Sequence, residues 1–112
     1  MLVVDDEPAI RLLCRVNLEL DGYRVVEATN LGEARRVLAD ETIAAVLLDM
    51  RIGNERGELL LGELREAGVP VIVVTGSADV DAAAWAKHAD AVLGKPFALD
   101  DLLRAVHAVT SG

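Results

Sequence analysis

Aromatic side chains are scarce: Tyr23, Trp85 and Phe97 are the three among 112 residues. A core must therefore be built from Val, Leu, Ile and Ala, and at 53% hydrophobic the chain is too apolar to remain disordered. Cysteine occurs once, so no internal disulfide can form, which fits a reducing compartment. Cys14 stands at helical spacing with Ile10 and Leu18 and reads as an inert core thiol. Positive charge is also short, 11 Lys and Arg against 19 Asp and Glu, for a formal net charge of -8. A domain so acidic does not grip a phosphate backbone itself, because that affinity rests on Lys and Arg displacing counterions, so any effect on DNA is indirect. No apolar run approaches the roughly 18 residues of a membrane span, and no basic-then-apolar leader opens the chain. A soluble, cytoplasmic, single domain over residues 1–112 is expected, without membrane contact.

What is present is a set of short apolar runs that stop on polar residues. Ala44-Ala45-Val46-Leu47-Leu48 ends on Asp49, Leu2-Val3-Val4 ends on Asp5-Asp6-Glu7, and Val71-Ile72-Val73-Val74 ends on Thr75-Gly76-Ser77. Such runs read as strands buried on both faces of a parallel sheet. Between them lie helical patterns, expected over Pro8 to about Leu20 with apolar Ile10, Leu13 and Leu20, and over about Leu31 to Ala39. Further helices are expected over Glu58 to Ala67, about Asp79 to Lys87, and about Leu99 to Val109. Tyr23 to Glu27 and Ala89 to Leu93 complete the strands, and the polar stretch 50–57 reads as a loop. Five strands alternating with helices predict an α/β fold, a five-stranded parallel sheet with helices on both faces.

In such sheets ligands bind beyond the carboxyl ends of the strands. Asp5, Asp6, Asp49, Thr75 and Lys95 all fall there. Three converging carboxylates repel one another and call for a cation. Oxygen donors without histidine or thiol suit Mg²⁺, or Mn²⁺ in its place. A lysine and a threonine add an ammonium and a hydroxyl suited to phosphoryl oxygens. The pattern points to phosphoryl transfer onto an aspartate, with Asp49, alone at the end of the central strand, as the best nucleophile.

The sequence Val3-Val4-Asp5-Asp6-Glu7-Pro8, then Leu47-Leu48-Asp49-Met50, Val73-Val74-Thr75-Gly76 and Gly94-Lys95-Pro96-Phe97 resembles the receiver domain of bacterial two-component response regulators. The resemblance covers essentially the whole chain. It implies a flavodoxin-like (βα)5 fold of strand order 2-1-3-4-5. It further implies a phosphoryl group arriving from a sensor histidine kinase or a histidine phosphotransfer protein, with the state relayed to an output partner or domain. Asp49 would then be the phosphoacceptor. Asp6 and Asp49 would supply oxygens to the metal, Asp5 would act through water, and the backbone carbonyl of Arg51 would be a further ligand. Thr75 and Lys95 would hold phosphoryl oxygens, and the Lys95-Pro96 bond would be cis. Arg51 and Ser77, each two residues beyond a site residue, would tune the lifetime of the phosphoryl group.

Two positions depart from the family pattern. An aromatic residue usual three positions before the lysine is Val92, and a proline common four after the acceptor is Gly53. Val92 leaves open how the phosphorylated state is read, and Trp85 reads either as a packing residue or as a partner anchor on the same face. Met1 stands close to the paired acids, which reads as a clipped or unusual start. His88 and His107 lack metal-ligand spacing and read as surface or helix-face residues. Two rival functions fit parts of this pattern. One is a receiver-fold interaction module independent of phosphorylation. The other is a phosphohydrolase of the haloacid dehalogenase kind, against which Arg51 stands where a second aspartate would be needed.

Overall fold

The computed structural model describes residues 1–76 and 82–110. The elements run β1 (Leu2–Val4), α1 (Pro8–Leu20), β2 (Val26–Ala28), α2 (Leu31–Asp40), β3 (Val46–Asp49), β4 (Arg51–Ile52), β5 (Glu55–Arg56) and α3 (Glu58–Ala67). They continue with β6 (Val71–Thr75), α4 (Ala82–Ala86), β7 (Ala91–Gly94) and α5 (Leu99–Thr110). Five parallel strands are ordered β2-β1-β3-β6-β7, which is 2-1-3-4-5 when the small β4-β5 pair is set aside. The α4 start expected near Asp79 lies outside the described residues.

Strand pleat sorts the core onto two faces. Leu2, Val4, Val46, Leu48, Val71 and Val73 pack with residues of α2, α3 and α4. Val3, Leu47, Ile72 and Val74 point the other way, onto Cys14 and Leu18 of α1 and Leu102 and Val106 of α5. With nearly every strand residue apolar on both faces, the central strands cannot slip without moving polar ends into the core.

Local chemistry sets the helix ends. Pro8 occupies the first turn of α1, where its missing N–H costs nothing. Asn30 caps α2 by accepting the Glu33 N–H at 2.8 Å, while Glu33 reaches back to the Thr29 N–H at 2.7 Å. The first bond satisfies a donor that the helix start leaves open, and the second fastens the residue before the cap.

Three expectations need correction. The stretch 50–57 is not a plain loop: Arg51 pairs with Arg56 and Ile52 with Glu55 in an antiparallel hairpin. Ile52 drives this by burying its side chain in the core. The second strand is Val26–Ala28 rather than Tyr23 to Glu27, because Tyr23 is drawn toward α5, its hydroxyl 3.0 Å from Thr110 Oγ1 and its ring stacked on His107. The last strand begins at Ala91 instead of Ala89; Asp90 ties the chain to the start of β6 just before it, through hydrogen bonds of both its backbone and its carboxylate with Val71. On α1 the inward side is carried by Cys14 and Leu18 with Ile10 packed beside them, as their spacing predicts, while Leu13 and Leu20 face solvent.

Burial pushes the Cys14 thiol up to about 11, so little thiolate exists at neutral pH. Alkylation of the native protein at neutral pH should be slow and should accelerate sharply in denaturant; rapid labelling of the folded chain would contradict this placement.

Candidate functional site

The sheet register assembles the site. Val4 pairs with Leu48, so the next residues, Asp5 and Asp49, end adjacent strands side by side. Asp49 pairs with Val74, one residue before Thr75, and Thr75 pairs with Gly94, one residue before Lys95. Four neighbouring segments thus deliver their polar residues to one edge. Asp5, Asp6 and Asp49 each offer a carboxylate oxygen, and these three atoms lie within 4.8 Å of one another.

Asp5 and Asp49 are buried, at 2% and 7% exposure, whereas Asp6 is exposed. At such separations two unit charges repel by about 3–4 kcal/mol even at an effective dielectric constant near 20. Lys95 offsets part of this. Its Nζ lies 3.0 Å from Asp49 Oδ2 and 3.2 Å from Asp5 Oδ2, with Glu7 farther out at 3.4 Å. Backbone donors add to it: the Glu7 N–H donates to Asp5 Oδ1 at 2.9 Å and the Arg51 N–H to Asp49 Oδ1 at 3.1 Å. Arg11 braces the rim, donating to the Asp5 carbonyl at 2.9 Å while paired with Glu27.

Protonation follows this crowding. Burial, and to a smaller degree the Asp49 charge, raise the pKa of Asp5 against the opposing pull of the Glu7 amide and Lys95. For Lys95, burial works against the ammonium, but the hydrogen bond and charge of Asp49, followed by those of Asp5, outweigh it and raise the pKa above the ordinary lysine value. The folded chain therefore holds this proton more tightly than the unfolded one. The resulting stability is complete below 10.5 and is lost as pH rises beyond it.

One ammonium facing three carboxylates leaves net negative charge on hard oxygen donors, a donor set that fits a divalent cation. Asp49, with one oxygen on Lys95 and the other on a backbone amide, is held in a fixed orientation at the end of the central strand.

The response regulator receiver domain model matches residues 1–107. The chain belongs to the response regulator receiver family. Among curated relatives, the transcriptional regulatory protein KdpE of Mycobacterium tuberculosis is 35% identical over 111 residues, covering 96% of this chain and 49% of KdpE. The chain thus spans about half the length of that relative. The receiver domain of NtrX from Brucella abortus superposes with a TM-score of 0.88 at 28% identity, covering 99% of this chain and 98% of that one. The response regulator TrrA from Thermotoga maritima, solved in complex with Mg²⁺-BeF, gives a TM-score of 0.85 at 30% identity and 96% coverage of both chains. Receiver domains are signalling domains rather than enzymes that turn over substrate, which sets aside the phosphohydrolase reading. No helix among the described residues is long and apolar enough to cross a membrane.

Lys95-Pro96 is cis. Arg51 opens the hairpin beside Asp49 with its side chain exposed. Ser77 lies outside the described residues. Val92 is 41% exposed on β7. Trp85 is only 4% exposed and packs in the core with Leu61 and Leu64, lining a groove of about 930 Å³ between α3 and α4 that includes none of Asp5, Asp6 and Asp49. That burial is the packing role; in this conformation Trp85 offers little surface to a partner. His107 pairs with Asp21. Sequence reasoning missed the hairpin, although Gly53-Asn54 between Ile52 and Glu55 is a two-residue turn signal.

Lys95→Ala should destabilise the metal-free domain by about 2–3 kcal/mol, because it leaves buried carboxylates without their cation. Adding Asp49→Asn should cost less than the sum of the two single changes in denaturant unfolding; strictly additive losses would show that the pair is not coupled.

Proposed function

We propose that Asp49 is the phosphoacceptor of this receiver domain and that the acidic edge of the sheet is its catalytic surface. The supporting observation is the position of Asp49: a buried carboxylate at the end of the central strand, 3.0 Å from the Lys95 ammonium and beside two further acids. An Asp49 oxygen forms the new bond to phosphorus while the phosphorus–nitrogen bond of a phosphohistidine donor breaks, its electron pair staying with the imidazole, which takes up a proton. Lys95 moves from pairing with the free carboxylate to holding a phosphoryl oxygen, and the Thr75 hydroxyl donates to another. Asp5, Asp6, Asp49 and the Arg51 carbonyl would hold Mg²⁺ or Mn²⁺, which when bound neutralises charge on the acids and on the phosphoryl oxygens. The chain's own contribution to catalysis is confined to gaining and losing this one group.

A sensor histidine kinase or histidine phosphotransfer protein is the proposed donor. Output passes to a partner or an attached domain, in keeping with KdpE being a transcriptional regulatory protein twice this length. The net charge of -8 makes direct nucleic-acid contact by this domain unfavourable. Residence in the cytoplasm is in keeping with that donor, and no membrane contact is proposed for this domain. Arg51 and Ser77 flank the path of an attacking water and tune phosphoryl lifetime. Val92 and the α4 face around Trp85 form the surface that responds. A phosphorylation-independent module remains the rival, favoured by Val92 in place of an aromatic residue.

Incubation with a small acyl phosphate, followed by intact mass, tests the proposal. One labile phosphoryl group should be gained in the presence of Mg²⁺, and lost from the spectrum in chelator or in Asp49→Asn. No gain by a folded, Mg²⁺-supplied protein would favour the rival module.

A further inference from the structure

Asp6 is the exposed acid of the trio, and an exposed carboxylate has the most freedom to lose when it takes a ligand. It is nevertheless held: its Oδ2 accepts the Gly53 N–H at 2.9 Å, across a sequence separation of 47 residues. Gly53 begins the two-residue turn of the β4-β5 hairpin with φ +58, and a Cβ there would stand 3.9 Å from the same Asp6 oxygen.

The hairpin is mounted firmly enough to aim that amide. Ile52, adjacent to it, is buried in the core. The Gly57 N–H closes the loop onto the Met50 carbonyl at 2.9 Å, and a side chain at Gly57 would be crowded, its Cβ 3.0 Å from Met50 Sδ and 3.1 Å from Met50 Cα. On the outer strand, Glu55 Oε1 accepts the Leu31 N–H at 3.1 Å and ties the hairpin to the first turn of α2. A proline at position 53 could neither donate this bond nor adopt this φ.

We infer that the Gly53 amide is a positioning group for the divalent cation, orienting the Asp6 carboxylate through Oδ2 and leaving Oδ1 available for ligation. This rests on the metal-site reading given above. Hydrogen-bonded partners of ligating carboxylates commonly govern affinity as strongly as some ligands do, and orienting a ligand in advance lowers the ordering cost of binding. The hairpin thereby links the acidic site to the start of α2 through two bonds, Gly53 to Asp6 and Leu31 to Glu55.

Calorimetric titration of the full chain with Mg²⁺ alone, in the absence of any phosphoryl donor, tests this on two variant pairs. Gly53→Asn keeps the N–H and tolerates positive φ; Gly53→Pro removes both. The Asn variant should bind within roughly twofold of the parent and the Pro variant roughly tenfold more weakly. Because proline can also disturb the turn, a second pair leaves position 53 untouched. Glu55→Gln and Glu55→Ala both remove the charge, but only Gln still accepts from Leu31, so Ala should bind Mg²⁺ roughly threefold more weakly than Gln. In the parent, the Gly53 amide proton should keep its downfield, hydrogen-bonded NMR shift as Mg²⁺ is added.

Equal affinities within the Glu55 pair, or an upfield move of the Gly53 amide on metal binding, would overturn the inference. Failure of the metal site itself would look different: the parent chain would then show no Mg²⁺ binding, and the inference would fall with it.

Discussion

The structure turns on the unequal charge at the carboxyl edge of the sheet: Lys95 reaches two buried carboxylates, and a third stands beside them. Burying like charges side by side is unfavourable, so the fold must hold them there by stronger constraints. Those constraints are the apolar strands. Both faces of β1, β3 and β6 are committed to core contacts, and sliding any of them to relieve the acids would cost far more in exposed Val, Leu and Ile. The core thus holds in place an electrostatically strained site, whose repulsion a bound cation would relieve.

That division explains what could be read in advance. The apolar runs ending on Asp5, Asp49 and Thr75 are dense enough that strand, face and edge follow from composition alone, and the helices between them follow from periodicity and caps. The architecture and the convergence of Asp5, Asp6, Asp49 and Lys95 were therefore legible. The misplacements share a cause, long-range contacts with no local signature. Tyr23 is alternating and β-prone, yet its hydroxyl and ring are claimed by Thr110 and His107 of α5, which delays the start of β2. Asp90 is bonded to Val71 through its backbone and its carboxylate, which holds the chain off the sheet until Ala91. The hairpin was different, because Gly53-Asn54 carried a local turn signal that the surrounding polarity concealed.

The hairpin also bears on how this receiver differs from the common family pattern. Where an aromatic residue is usual, Val92 is small and half exposed, so it has little leverage on the neighbouring surface. The loop after Asp49 is, by contrast, more structured here than a plain connection. It touches Asp49 through the Arg51 amide, Asp6 through the Gly53 amide and α2 through Glu55. A change at the acidic edge has a hydrogen-bonded route to α2 that does not pass through Val92.

Asp49, and not its acidic neighbours, is the proposed acceptor of the phosphoryl group. Borohydride reduction of the phosphorylated chain converts an aspartyl phosphate to homoserine, and tandem mass spectrometry then reads its position. Homoserine is expected at position 49 alone; reduction at Asp5 or Asp6, or a phosphoryl group retained on a histidine, would rule out Asp49 as the acceptor.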